Sequence, residues 1–203
     1  MKLYFSPGAC SLSPHIVMRE AGFESELEQV DLKTKRTKSG ADYTAVNPKG
    51  QVPMLVLDDG QKLTEGPAIV QYLADRKPEA KLAPPNGSFE RYRLQEWLNF
   101  VTSELHKGFT PLFNPAVPEE YKRMVKETLA NRFAYLDRHL GAGGPFLMGS
   151  QFTVADAYCF VITSWSKYQK IDLGQWPNLR AYVDRIAARP KVQEAMKAEG
   201  LIK

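Results

Sequence analysis

Between Lys77 and Ser88 the chain changes character, and that change constrains its architecture more than any other feature. Pro78, Pro84, Pro85, Asn86 and Gly87 interrupt helix and strand patterns alike. Residues 78–87 therefore read as a linker between a unit at 1–77 and a second unit at 88–203. Before the linker, segment types alternate. Lys2 to Phe5 is a short apolar run stopped by Ser6-Pro7-Gly8, which predicts a strand and then a turn. Leu12, Ile16 and Val17 recur at helical spacing, and the helix stops near Gly22. Leu27 to Leu32 reads as a second strand, and a basic, poorly periodic stretch follows from Lys33 to Gly40. Met54 to Leu57 and Lys62 to Thr64 flank Asp58-Asp59-Gly60, a hairpin signal. Pro67 opens a helix with Ile69, Val70 and Leu73 inward. The order β-α-β-(α)-β-β-α predicts a compact α/β unit whose last two strands are antiparallel.

After the linker the patterning is helical throughout, which predicts an all-α unit. Leu94, Trp97, Leu98, Val101 and Leu105 form one apolar stripe. Val125, Leu129, Phe133, Leu136 and Leu140 form a second, ended by Gly141. Val154 to Tyr168 is apolar nearly all round, the mark of a buried helix. Leu179, Tyr182, Val183 and Ile186 make a further helix between Pro177 and Pro190, and a last short helix runs to Gly200.

Composition narrows the function classes. In 203 residues, 27 Lys and Arg against 23 Asp and Glu leave a net charge of only +4, which points to no nucleic-acid partner. No apolar run approaches the roughly 18 residues of a membrane span, and the first residues lack the apolar stretch of a signal peptide. Two cysteines, Cys10 and Cys159, fit reduced thiols and a cytoplasmic location. His15, His106 and His139 lie far apart without cysteine partners, so no metal is expected. No GxGxxG, P-loop or GxSxG motif occurs.

Cys10 lies in Ser6-Pro7-Gly8-Ala9-Cys10-Ser11, between a strand and a helix. A helix start offers N–H groups and partial positive charge, which favour a thiolate, so a reactive thiol with a lowered pKa is expected here. Cys159, inside the apolar helix, reads as core. Ser11 and Ser13 are candidates to cap the helix, and Ser11 also to hydrogen-bond a sulfur ligand. Tyr4, on the preceding strand, reads as core. Gln51-Val52-Pro53-Met54 puts a proline at a strand entrance. The residues leave open whether that bond is cis, with Val52 placed to pair with an extended peptide, or trans. Thr64-Glu65-Gly66-Pro67 is a second strand-to-helix junction, where a ligand carboxylate is a candidate to dock on the helix start with Glu65 holding an ammonium beside it; Glu65 as a simple partner of the helix dipole is the alternative. Lys35 belongs to a basic run whose default is a solvated loop. Asn99, Ser103 and His106 are spaced i, i+4, i+7 and share a polar helix face, with Lys107 following. That face suits water, a ligand cleft or a subunit interface. In Ser150-Gln151-Phe152-Thr153-Val154-Ala155-Asp156, Thr153 and Asp156 form a capping box, and Asp156 is assigned to folding.

Five motifs in this order, Tyr4–Ser11 (YFSPGACS), Asn47–Pro53 (NPKGQVP), Leu63–Ala68 (LTEGPA), Glu104–Gly108 (ELHKG) and Phe152–Ala157 (FTVADA), resemble the bacterial beta-class glutathione S-transferases over essentially the whole chain. The resemblance implies an α/β thioredoxin-like N-terminal domain, an all-α C-terminal domain and a homodimer. It implies glutathione as co-substrate with no other cofactor, and transfer of glutathione to small electrophiles, often aromatic or halogenated. On that resemblance the catalytic residues are Cys10, Ser11 and His106. Val52, before a cis Pro53, pairs with the glutathione backbone. Glu65 and Gly66 receive its γ-glutamyl end, and Lys35 its glycine carboxylate. Asn99, Ser103, Glu104 and Lys107 join the glutathione-binding set, with the stripe Asn99, Ser103 and Glu104 reaching across the dimer. The electrophile is expected near Phe109, Phe113 and Trp165. Many members of the wider superfamily carry Ser where this chain has Gly66. Two alternatives share the fold: a glutathione-dependent thiol-disulfide reductase or reductive dehalogenase acting through Cys10, and a non-catalytic interaction module.

Overall fold

The structure, a computed structural model, describes residues 1–203 and divides into two compact units. The first comprises Met1–Ala83 together with Ala188–Lys203. Its strands β1 (Lys2–Phe5), β2 (Glu26–Asp31), β3 (Arg36–Thr37), β4 (Met54–Val56) and β5 (Lys62–Thr64) form one sheet in the order β3-β2-β1-β4-β5. β1 and β2 run parallel because the helix α1 (Leu12–Glu20) crosses back between them. The other pairings are antiparallel. The β4–β5 hairpin closes over Asp58-Asp59-Gly60, with the Leu57 N–H bonded to the Gln61 carbonyl at 2.8 Å and Gly60 at φ +85°. That positive φ is why the turn carries glycine. The short strand β3 was not expected from the basic stretch. Two residues carry no readable period, yet Val30 and Thr37 pair across the sheet edge, and the flanking charges suit an edge. A single turn, α2 (Tyr43–Val46), precedes the Asn47–Gly50 loop, and α3 (Gly66–Arg76) follows β5.

α1 is buried from Leu12 to Met18, more completely than its period suggested. The reason is α9 (Pro190–Ala198), which packs on α1. Arg189 grips Glu20 with two hydrogen bonds of 2.7 and 2.9 Å. The expected second unit, 88–203, is therefore too long at its C-terminal end: residues from Ala188 onward build the first unit's core, because α1 needs a second apolar surface against it. The expected linker is not wholly irregular either, since Pro78–Ala80 forms a 3₁₀ turn.

The second unit, Pro84–Ala187, is helical. α4 (Phe89–Phe100) is capped by Ser88, whose hydroxyl accepts the Arg91 N–H at 3.2 Å. It continues into a π turn over Val101–His106, then α5 (Lys107–Phe109) and a 3₁₀ turn over Thr110–Phe113. α6 (Glu119–Gly143) runs two residues past the expected stop at Gly141. α7 (Val154–Ser164) is buried over nearly its whole length. The predicted capping box is present. Asp156 accepts the Thr153 N–H and the Leu147 N–H, both at 2.8 Å, and the Tyr182 hydroxyl at 3.1 Å. α8 (Pro177–Ala187) is capped from a distance, with Asp137 of α6 accepting the Asn178 and Leu179 N–H groups at 2.7 and 3.0 Å. No helix is long and apolar enough to cross a membrane.

Candidate functional site

In the first unit, the turn from β1 to α1 carries Cys10. Gly8, at φ +70°, lets the turn fold back, and the Ala9 N–H reaches the Ser6 carbonyl at 3.0 Å. Ser11 is fully buried, and its hydroxyl accepts the Ser6 N–H at 3.1 Å and donates to the Ser6 carbonyl at 3.3 Å. This corrects the expectation for Ser11. Its hydroxyl neither caps α1 nor points toward a ligand; it pins the turn. Ser13 likewise turns back, donating to the Cys10 carbonyl at 2.8 Å.

Cys10 is partly exposed and lies one residue before the helix cap Ser11. Its Sγ donates to the Val52 carbonyl at 3.4 Å. At this distance the carbonyl oxygen is an acceptor for the thiol S–H. The contact joins two segments 42 residues apart, the cysteine turn and the peptide before Pro53. The Val52–Pro53 bond is cis. Its loop is organised by two side chains that no motif singled out. Asn47 and Tyr43 both donate to the Gln51 carbonyl at 2.8 Å, and the Gly50 N–H returns to the Asn47 carbonyl at 2.8 Å. Both residues are buried. Asn-Pro-Lys-Gly was the available signal, legible as a turn though not as an anchor for Val52. Lys35, at φ +57°, donates to the Gly50 carbonyl at 2.8 Å, which places its ammonium at this loop and not in free solution.

At the β5–α3 junction Glu65 adopts φ +71°, a left-handed conformation that costs a non-glycine residue energy. Its carboxylate meets the Lys49 ammonium at 2.6 Å and is largely exposed. The Ala68 and Ile69 N–H groups close onto the Glu65 carbonyl, both at 3.0 Å, and Pro67 has none. Donors for an incoming carboxylate at this helix start are thereby reduced to the backbone of Glu65 and Gly66. Gly66 is buried, and a Cβ there would meet only Pro53 Cγ at 3.9 Å.

In the second unit, Asn99, Ser103 and Lys107 are exposed, and Glu104 and His106 half-buried. The i, i+4, i+7 face assumed an unbroken α-helix. The π turn inserts an i→i+5 bond from the Lys107 N–H to the Thr102 carbonyl and offsets that register. Ser103 donates back to the Asn99 carbonyl at 3.0 Å. Glu104 pairs with Arg132 at 2.7 Å beside a hollow of about 600 Å³ lined by Phe100, Tyr135 and Arg138. His106 Nδ1 lies 2.6 Å from the Tyr158 hydroxyl, and its ring meets Trp165 edge-on at 5.0 Å. Of the three expected electrophile contacts, Phe113 is exposed and packs on Trp165 at 5.3 Å, while Phe109 is fully buried core. Cys159, as expected, is inert: burial pushes its thiol up to about 12.

The glutathione S-transferase N-terminal domain family matches residues 1–75, and the C-terminal domain family residues 100–190. Glutathione S-transferase GstA of Escherichia coli O157:H7 is 50% identical over 99% of this chain and 100% of its own length. Among solved structures, BphK, a bacterial glutathione S-transferase in a ternary complex, is 59% identical with a TM-score of 0.96, covering 98% of this chain and 100% of that one. The beta-class glutathione S-transferase of Sphingomonas chungbukensis is 49% identical with a TM-score of 0.96, over 100% of both chains. With a thioredoxin-like sheet unit, a helical unit and whole-length identity of this order, the chain belongs to the glutathione S-transferase family, in its bacterial beta class.

Proposed function

We propose that the protein transfers glutathione to small, often aromatic or halogenated electrophiles, with Cys10 at the sulfur site. The observation that carries it is the contact of the Cys10 thiol with the Val52 carbonyl beside cis Pro53. An extended cysteinyl backbone that pairs with Val52 brings its own thiol to that place. The Val52 N–H makes no hydrogen bond within the protein, in keeping with an edge that awaits a strand. The γ-glutamyl carboxylate takes the backbone N–H groups of Glu65 and Gly66, its ammonium the Glu65 carboxylate, and the glycine carboxylate Lys35. His106 is the catalytic candidate of the helical unit. Asn99, Ser103, Glu104 and Lys107 complete the glutathione contacts in a homodimer, where the first three serve the partner's molecule.

In the reaction the glutathione S–H loses its proton to solvent, and the sulfur pair forms the S–C bond. The leaving group departs with the electrons of the bond it breaks. No group beyond glutathione and the electrophile enters this sequence. Steady-state conjugation of 1-chloro-2,4-dinitrobenzene tests the proposal: a saturable, glutathione-dependent rate is expected, and its absence from pure protein overturns it.

The partly exposed Cys10 also favours a second reading, in which its thiolate attacks a glutathione mixed disulfide and releases the reduced partner. Ser13 occupies the place of a resolving cysteine, so a second glutathione must regenerate the thiol, itself oxidised to the disulfide.

A further inference from the structure

We propose that Tyr43 and Asn47 are positioning residues that lock the Gln51–Val52 peptide, aim the Val52 N–H at the backbone of glutathione and thereby set the affinity for it. This rests on the pairing of Val52 with glutathione proposed above, and every protein group involved lies within Met1–Ala83. Asp42 caps the single turn α2, its carboxylate accepting the Thr44 N–H at 2.9 Å. The Asn47 N–H closes on the Tyr43 carbonyl at 2.8 Å, which brings the two side chains to one side of the turn. They are 0% and 3% exposed, and both donate to the Gln51 carbonyl at 2.8 Å. The direction of both bonds is fixed by chemistry, because a carbonyl oxygen only accepts. Burial pushes the Tyr43 phenol up, so it keeps its proton. The Asn47 amide has one orientation: its oxygen accepts the Lys49 N–H at 3.2 Å, and its nitrogen also reaches the Tyr43 hydroxyl at 3.4 Å.

The Gln51–Val52 bond is trans, since the cis bond of this loop is Val52–Pro53. The Val52 N–H therefore points opposite to the Gln51 carbonyl in one rigid plane. Two buried donors that hold the oxygen from inside the unit turn the N–H away from them. That N–H has no hydrogen-bond partner within the protein, although Val52 is only 8% exposed, and a group so placed calls for a partner from outside. The neighbouring peptide is committed as well. The Gly50 carbonyl accepts from the Lys35 ammonium and the Gly50 N–H donates to the Asn47 carbonyl, both at 2.8 Å, so the Gln51 peptide cannot turn over alone. Donation to a carbonyl also polarises its peptide and strengthens the N–H at the other end. The Val52 N–H is thus aimed and strengthened for a peptide carbonyl, the acceptor that a glutathione backbone presents. The Tyr43 ring itself belongs to the core with Val30, Val52 and Met54, so the hydroxyl is the part that a substitution can separate from folding.

The test uses the whole protein and its variants Tyr43→Phe and Asn47→Ala. Calorimetric titration with reduced glutathione gives Kd, assigned ¹⁵N–¹H spectra follow the Val52 amide, and conjugation kinetics give kcat. Tyr43→Phe keeps the ring in the core and is expected to fold even where Asn47→Ala does not. In the wild type the Val52 amide proton should move downfield as glutathione binds. In Tyr43→Phe the Val52 nitrogen of the free protein should move upfield, since its peptide carbonyl has lost a donor. Kd for glutathione should rise about fivefold, the worth of one hydrogen bond, and at least as much in Asn47→Ala, with kcat at saturating glutathione unchanged. A wild-type Val52 amide unmoved by glutathione overturns the pairing on which the proposal rests, and the proposal with it. A responsive wild-type amide together with an unchanged Kd in folded Tyr43→Phe overturns the proposal alone. So does a fall in kcat without a rise in Kd, which marks a merely structural role.

Discussion

Glu199 and His15 meet at 2.9 Å with both side chains wholly out of solvent. The second carboxylate oxygen of Glu199 accepts the Gly8 N–H at 3.0 Å, in the turn that carries Cys10. One acid just beyond α9 thus braces α1 and the cysteine turn together. Replacing Glu199 by Ala leaves a buried imidazole and a backbone donor without this partner. The unfolding free energy from urea denaturation should fall by about 3–5 kcal/mol. KM for glutathione should rise as the turn loosens. Wild-type stability in Glu199→Ala would show that the pair contributes nothing.

Gly66→Ser should be accommodated, because its Cβ would make only an ordinary contact with Pro53 Cγ at 3.9 Å. The new hydroxyl adds a donor at a helix start whose N–H groups Pro67, Ala68 and Ile69 do not supply. KM for glutathione is expected to drop about fivefold, the worth of one hydrogen bond of about 1 kcal/mol. An unchanged or higher KM would place the γ-glutamyl carboxylate elsewhere.

Burial pushes the Asp156 carboxyl from 3.8 up to about 6, against the pull of its hydrogen bonds to Leu147, Thr153 and Tyr182. The sign follows from proton uptake. Below the unfolded value both states are protonated and the group is neutral toward folding. Between the two values the unfolded chain ionises while the folded one keeps its proton, so stability falls as pH rises. Above about 6 the loss is complete. Relative to Asp156→Asn, which does not titrate, the wild type should lose about 3 kcal/mol between about pH 3 and about pH 7. A flat difference between the two proteins across that range would contradict the burial argument.

Incubation with oxidised glutathione should load Cys10 and leave Cys159 untouched, because the first thiol is partly exposed and the second fully buried. Mass spectrometry should show one adduct of about 305 Da, absent in Cys10→Ala. An adduct retained in that variant would shift the reactive thiol to Cys159.

Local rules made much of the fold legible. Lys2–Phe5, the Asp58-Asp59-Gly60 hairpin and the stripe from Leu94 to Leu105 carry their period or turn chemistry in consecutive residues. The Thr153–Asp156 box does the same. Cys10, Val52 and Gly66 were marked as candidates by the turns and junctions that hold them.

What escaped the sequence were relations between distant segments. That α9 completes the first unit, that Ser11 is turned in on Ser6, and that Tyr158 meets His106 across 52 positions depend on which surfaces are buried against each other. The π turn belongs to the same class, since one extra residue per turn leaves an apolar stripe almost unaltered while it re-aims the polar side chains beside it. Periodicity and turn chemistry are properties of neighbours along the chain and determined the elements and their order. The partner of each polar atom is a property of neighbours in space, where removal from water makes an unmatched group costly, and only the tertiary structure decided it.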